Sequence, residues 1–135
     1  MDSAQMQTLV EKHIQAEGAG DVDGALAVYT EDIEHDAVGF PGSPNRGIDE
    51  VRGFYIYLTA NIRAETEKIL NRYVTENAMI LEQIMTGIVI GEMFGLPGNG
   101  RRISFRILHV FEFRDGLISR ENVWLDSAAI IEQLS

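Results

Sequence analysis

The chain contains no cysteine, so disulfide frameworks, thiolate nucleophiles and cysteine-based metal sites are excluded. Basic residues are also scarce, with 11 lysines and arginines against 21 aspartates and glutamates and a formal net charge of -10. Nucleic acids and anionic membranes are bound through a basic face, so this charge argues against both as partners. No apolar run approaches the length of a membrane span. The polar, acidic N-terminal segment lacks a signal-peptide pattern, and we expect a cytoplasmic protein.

What is present indicates an ordinary globular domain, with 45% apolar and 24% charged residues. We expect one domain over residues 1–135, long enough to bury a core. The first half has helical periodicity and the second half has strand alternation. The expected helices are 3–17, a short one within 24–32, 49–62 and 127–134, and the expected strands are 33–38, 67–75, 78–93, 102–113 and 117–125. This order predicts an α+β fold with helices on one face of a curved, mostly antiparallel sheet.

The last two expected strands flank Asp115-Gly116, a pair typical of a two-residue hairpin turn. If the strands pair directly from that turn, His109 lies opposite Asn122 and seven side chains share one face. The seven are Phe105, Ile107, His109, Phe111, Asn122, Trp124 and Asp126. Apolar walls with a few convergent polar groups are typical of a small-molecule pocket. The alternative is a plain core in which Asn122 satisfies His109.

The expected strand at 33–38 carries Glu34, His35 and Asp36 and leads into a loop rich in glycine and proline. Neighbours on a strand point to opposite faces, so His35 and Asp36 cannot both face the interior. Periodicity alone does not choose between them. A carboxylate held among apolar side chains has a raised pKa and becomes a usable base near neutral pH. The alternative for Asp36 is an exposed strand end.

The order of segments resembles a known superfamily. A helix, "GAGDVDGALAVYTEDIEHDAVG", a loop, "GIDEVRGFYIYL" and a strand meander ending in "RDGLISRENVWLD" are similar to the nuclear transport factor 2-like superfamily. Within it, the chain most resembles the SnoaL-like polyketide cyclases and ketosteroid isomerase, over nearly its whole length. The resemblance implies a cone, in which a curved sheet wraps around the N-terminal helices and a ligand cavity opens at the mouth. It also implies a homodimer formed through the convex face of the sheet.

The resemblance to ketosteroid isomerase assigns roles to individual residues. Asp36, which precedes "AVG", matches the general-base aspartate, so Asp36 is expected to face inward and His35 outward. His13 and His109 match the two oxyanion donors, which are a tyrosine and a protonated acid in the isomerase. The replacement of both donors by histidine argues against steroid isomerisation itself. Supporting tyrosines of that network are matched by Tyr29 and Tyr55.

The SnoaL-like cyclases pair a histidine on the penultimate strand, matching His109, with an acid on the last strand. The nearest acid on the predicted face is Asp126, which could instead cap the final helix. Limonene-epoxide hydrolases share the fold but use an Arg-x-Asp pair where this chain has Ile107 and His109. Their chemistry is therefore not expected here. His13 also has an ordinary interpretation, as a satisfied core histidine on an apolar helical stripe.

The sequence thus predicts a cofactor-independent acid-base enzyme acting on a small, largely apolar or aromatic carbonyl compound. The expected reaction is of isomerase, cyclase or dehydratase (lyase) type, and the three histidines show no metal-ligand spacing. The catalytic candidates are Asp36, His109, His13 and Asp126, and the candidates for substrate contact are Tyr55, Tyr29, Phe40, Phe105, Asn122 and Trp124. The alternatives are a non-catalytic ligand-binding or assembly domain, and a hydrolase using a water activated between Asp36 and His109.

Overall fold

The computed structural model describes all 135 residues. In chain order the elements are α1 Ser3–Gly18, α2 Val22–Leu26, β1 Tyr29–Val38, β2 Asn45–Arg46, α3 Ile48–Asn61, β3 Ile62–Val74, β4 Ala78–Val89, β5 Glu92–Met93, β6 Leu96–Pro97, β7 Arg101–Arg114, β8 Leu117–Leu125 and α4 Ser127–Leu134. Six strands form one sheet in the order β2-β1-β8-β7-β4-β3, and β5 and β6 form a separate hairpin. Only the β1–β8 pair is parallel. The predicted fold, helices against a curved, mostly antiparallel sheet, is confirmed.

Three of the four helices, α1, α2 and α4, begin at an aspartate whose side chain accepts from a free backbone N–H group. Asp2, rather than Ser3, is the N-cap of α1: its carboxylate accepts from the Gln5 backbone N–H, and the Gln5 side chain accepts from the Asp2 N–H. Asp21 caps α2 in the same way through the Gly24 N–H. No helix is both long enough and apolar enough to cross a membrane.

The core consists of two apolar clusters on the inner face of the sheet. One lies under α1 and α3 and includes Met6, Ile33 and Phe111. The other lies towards α4 and the β5–β6 hairpin and includes Met85 and Phe105. Strict alternation along β4, where every second residue is buried, places residues of this strand in both clusters.

A β-bulge in β8 decides which residues of the last strand face inward. Pairing starts at the Asp115-Gly116 turn as expected, but Phe113 pairs with Ile118 and Glu112 pairs with Arg120, which leaves Ser119 as an extra residue. Because side chains alternate with a period of two, one extra residue reverses the orientation of the rest of the strand.

The bulge makes the predicted register of the last hairpin wrong. His109 pairs with Val123, not with Asn122, and Ile107 pairs with Leu125. The inward residues of the strand are therefore Glu121 and Val123, both buried. Asn122 and Trp124 point to the outer face, and Trp124 is 52% exposed.

Candidate active site

The inner face of the sheet is apolar towards both ends and polar at one level between them. Along β7 the inward residues run Phe111, His109 and Ile107, so a histidine lies between members of the two apolar clusters. The strands β4, β8 and β1 also each have a buried polar residue among inward apolar ones, namely Gln83, Glu121 and His35. Buried polar groups are tolerated when they bond to one another, and a concentration of titratable ones marks a candidate site.

Glu121 is the centre of this polar level. Its Oε1 accepts a hydrogen bond of 2.6 Å from Tyr29 and lies 3.2 Å from His13 Nε2. Its Oε2 lies 3.7 Å from His35 Nε2 and 3.8 Å from His109 Nε2, beyond direct hydrogen bonding. All three histidines of the chain thus surround one buried carboxylate. Oε1 is hydrogen-bonded within the protein, whereas the lone pairs of Oε2 remain available to a bound ligand.

His13 forms an ion pair with Glu121 at neutral pH. Its Nδ1–H donates to the Ala25 carbonyl at 2.8 Å, which directs Nε2 towards Glu121. Burial alone would lower the pKa of His13, but the charge of Glu121 and the hydrogen bond to it outweigh burial and raise the pKa to about 9. Burial alone would likewise raise the pKa of Glu121, but the charge of His13 and its hydrogen bond to the carboxylate outweigh burial and hold the pKa well below its usual range. Glu121 therefore stays ionised although it is buried.

Two tyrosines hold the carboxylate in place. Tyr29 gives its proton to Glu121, so its oxygen accepts from Tyr55 at 2.9 Å. Tyr55 in turn accepts from His35 Nε2–H at 3.3 Å. With the proton on Nε2, His35 Nδ1 is the acceptor nitrogen, and this buried atom has no partner. Burial and the charge of Glu121 raise the pKa of both tyrosines well above the usual range, so both remain donors.

His109 is neutral and presents a lone pair. Its Nδ1 lies 2.8 Å from Gln83 Oε1, while the Gln83 amide nitrogen lies 3.5 Å from Glu67. The nearby Glu67 carboxylate fixes the amide orientation, so we assign the Nδ1 proton to the bond with Gln83. Burial lowers the pKa of His109 to about 4. The negative charge of Glu121 raises this pKa by less than burial lowers it, and His13 and His35 lower it further. The unprotonated Nε2 therefore points towards Glu121.

A cavity opens onto this polar level. Its free space is about 480 Å³, including the part open to solvent, and 12 of its 16 lining residues are hydrophobic. Its walls include Phe40, Phe54, Leu58, Met85, Phe105 and Ile107, and its four polar lining residues are Glu17, His35, His109 and Glu121. Tyr55, counted among the hydrophobic residues, adds a phenol hydroxyl. This composition, apolar walls with a few convergent polar groups, is typical of small-molecule sites.

Glu17, in the last turn of α1, brings a second carboxyl to the cavity. Its side chain is 19% exposed, makes no hydrogen bond, and has Oε2 3.6 Å from His13 Nε2. Burial raises the pKa of Glu17 to about 8, although His13 opposes the rise, and the charges of Glu121 and Glu67 add to it. The negative end of the helix dipole also disfavours the ionised form. The cavity therefore holds one protonated and one ionised carboxyl at neutral pH.

The predicted orientation of β1 is wrong. His35 is 1% exposed and lines the cavity, whereas Asp36 is only partly buried and lies on the opposite face. The buried residues Ile33 and Ala37 set this parity, because they share a face with His35. A water held between Asp36 and His109, as the hydrolase alternative required, is therefore not supported by the placement of Asp36.

The other predicted site residues divide into two groups. The structure brings together His13, His109, Tyr29, Tyr55, Phe40 and Phe105, all at the cavity or in the network behind it. It leaves outside Asn122, Trp124 and Asp126, because the bulge turns the first two outward and Asp126 caps α4 through the Ala129 N–H. No group of three or more potential ligands has the geometry of a metal site.

Sequence reasoning missed Glu121, Glu17 and Gln83. A signal for Glu121 exists in β8, where the apolar residues change parity between Ile118 and Val123. Such a change is what a bulge produces in a strand with one buried face. No comparable signal marks Glu17, whose position at the end of an amphipathic helix is typical of a solvated residue.

Comparisons with known proteins agree with this fold. The family model described as SnoaL-like domain matches residues 10–121. A protein from Xanthomonas campestris pv. campestris, proposed to be a polyketide cyclase, superposes with a TM-score of 0.82 at 25% identity, covering 98% of each chain. TsrD from Streptomyces laurentii gives 0.85 at 21% identity, over 100% of this chain and 98% of its own. No curated protein has a significantly matching sequence.

A third neighbour, an LEH-like epoxide hydrolase from M. tuberculosis, gives a TM-score of 0.74 at 23% identity, over 97% of this chain and 90% of its own. The likenesses below 25% identity establish the fold alone. The family match confirms the resemblance to SnoaL-like proteins.

Proposed function

The chain belongs to the SnoaL-like domain family, and on that premise we propose that it is an acid-base enzyme needing no cofactor. Its substrate is a small, largely apolar carbonyl compound, and its reaction is of isomerase, cyclase or dehydratase type. One observation carries this proposal: the buried carboxylate Glu121 keeps its Oε2 free in an apolar cavity, with two histidine nitrogens within 3.8 Å.

Glu121 is the proposed base, in place of Asp36. His13 keeps it ionised at neutral pH and Tyr29 fixes its other oxygen, so Oε2 is positioned to take a proton from the carbon next to a carbonyl. Because the ion pair also makes Glu121 a weak base, the reaction depends on stabilisation of the developing enolate oxygen. The C–H electron pair then moves into the carbonyl, giving an enolate. His109 Nε2, 3.8 Å from the same oxygen, is placed to receive that proton and return it at a second position. Isomerisation and dehydration both need such a transfer.

Glu17 is the proposed acid. Two carboxyls in one cavity whose environments move their pKa values apart define an acid and a base. The protonated Glu17 has no hydrogen-bond partner within the protein, so it can donate to the carbonyl oxygen as negative charge develops there. One well-placed donor to a developing oxyanion lowers the barrier by about 3 kcal/mol.

Solvent exchange tests this proposal without a known substrate. Cyclic ketones, β-ketoesters and aromatic 1,3-dicarbonyl compounds are incubated with the protein in D₂O, and deuterium uptake next to the carbonyl is followed by NMR. We expect catalysed exchange for at least one compound that binds, and native mass spectrometry measures binding separately. Compounds that bind without any catalysed exchange would favour the non-catalytic ligand-binding alternative.

We also propose that the outer face of the sheet forms a homodimer. Trp124 is 52% exposed there and pairs across the ladder with Leu108, so an apolar patch lies on a face that the helices do not cover. Light scattering after gel filtration is expected to give twice the 15.1 kDa chain mass, and about the chain mass for Trp124→Glu. A wild-type monomer would contradict this proposal.

A further inference from the structure

Three residue pairs in the chain have positive φ at both positions, and one of them has unusual chemistry. They are Phe94-Gly95, Asn99-Gly100 and Asp115-Gly116, with φ values between 52 and 77°. Glycine, asparagine and aspartate accept the left-handed region readily, and Asn-Gly and Asp-Gly are the favoured pairs for such turns. A bulky aromatic residue there is strained. Phe94 is thus the exception among three similar turns.

Phe94 lies in the wall of an outer pocket next to the cavity. It is the first residue of the two-residue turn between β5 and β6, and its ring packs edge-on against Phe40 at a centroid distance of 5.2 Å. Phe40 lines the inner cavity and also an outer pocket of about 750 Å³, including its solvent-open part. Phe54 lines both spaces as well, and Phe94 lines the outer one. The ring of Phe40 therefore lies between the outer pocket and the cavity, and the ring of Phe94 packs against it from the side of the outer pocket.

The base of the hairpin is fixed, so the turn cannot shift as a whole to release the strain. Tyr57 donates a 2.5 Å hydrogen bond to the Glu92 carboxylate, and the Glu92 N–H donates to the Asn61 side chain at 2.9 Å. The next residue, Met93, is buried in the cavity wall. Strained residues held by well-anchored surroundings are concentrated at functional sites.

We propose that Phe94 is a specificity-determining residue that, with Phe40, limits which molecules pass from the outer pocket into the cavity. The inference rests on the proposed function, in which the cavity takes a small carbonyl compound. Flat, slender apolar compounds pass between two aromatic edges, whereas branched or strongly hydrated ones do not. Asparagine at position 94 would suit the turn better but would leave the entrance uncovered.

Methionine oxidation measures access to the cavity without any ligand. Met85 lines the cavity and is 6% exposed, whereas Met6 and Met79 are buried in the other apolar cluster. tert-Butyl hydroperoxide, which is about the size of a small ligand, converts an accessible thioether to the sulfoxide. Peptide mass spectrometry gives the oxidation rate of each methionine in the same sample, so Met6 and Met79 serve as internal standards.

In Phe94→Asn we expect Met85 to oxidise about threefold faster or more, relative to Met6 and Met79, with Tm unchanged or higher. The matched control, Asn99→Phe, puts the aromatic ring into a similar turn and should lower Tm without changing the relative Met85 rate. An unchanged Met85 rate in Phe94→Asn would overturn the proposal. So would a fall in Tm of about 5 °C with all three methionines oxidising together, since Phe94 would then be a core residue. Neither readout involves turnover, so failure here is separate from failure of the proposed reaction.

Discussion

Replacing Glu121 by glutamine should change the protonation of His13. The isosteric amide keeps the shape of the side chain but removes the negative charge 3.2 Å from His13 Nε2. That charge and its hydrogen bond are what outweigh burial and raise the pKa of His13 from its ordinary 6.5 to about 9. The difference corresponds to about 3 kcal/mol of interaction. Without it, burial prevails, and we expect the pKa of His13 to fall below 6.5 in Glu121→Gln.

The assay is a pH titration of the histidine ring nitrogens by NMR, in the wild type and in two variants. The control is Glu112→Gln, which removes a carboxylate from a partly exposed side chain that bonds to Arg120, away from the cavity. We expect the pKa of His13 to be unchanged in this control. At pH 7, denaturant unfolding of Glu121→Gln should show a loss of about 3 kcal/mol. A His13 that still titrates near pH 9 in Glu121→Gln would refute the ion pair.

Two further changes follow from the same structure. The pKa of His109 is lowered from its ordinary 6.5 to about 4. Between pH 6.5 and pH 4, His109 is therefore protonated in the unfolded chain but neutral in the folded chain. The free energy of unfolding, measured by urea titration, should therefore fall by about 3 kcal/mol as the pH is lowered through this range. In His109→Asn this part of the dependence of stability on pH should be flatter. An equal slope in the variant would contradict the assignment. Asp126→Ala removes the N-cap of α4 and should lower the free energy of unfolding by about 1 kcal/mol without changing the rate of deuterium exchange. Loss of exchange in this variant would instead show that Asp126 takes part in the reaction.

Most of the fold could be predicted because its long elements carry their own local signals. The exceptions are residues 29–32, which were expected in a helix but form the start of β1, and the short strands β2 and β6, which were not expected. Buried residues at helical spacing on α1 and strict alternation on β4 specify both elements without tertiary information. The turns at Asn99-Gly100 and Asp115-Gly116 are equally local, since these residues favour the backbone that the turns require.

The candidate site depended on features that are not local. One extra residue, Ser119, exchanges Asn122 for Glu121 on the inner face, so an error of one position replaced the central carboxylate. In β1 the alternation of side chains left the choice between His35 and Asp36 open, and only the resemblance to ketosteroid isomerase selected Asp36. The structure buries Ile33, His35 and Ala37 on one face, so the family pattern did not predict the orientation of this strand.

The most direct test compares two carboxylates of this chain in the deuterium-exchange assay. Glu121→Gln removes the proposed base inside the cavity, and Asp36→Asn makes the same chemical change on the outer face of β1. Loss of a general base lowers the rate by about 10²–10⁴. We expect Glu121→Gln to lose exchange by such a factor while still binding the compound, and Asp36→Asn to keep the wild-type rate. Exchange that survives in Glu121→Gln and disappears in Asp36→Asn would contradict the proposed site.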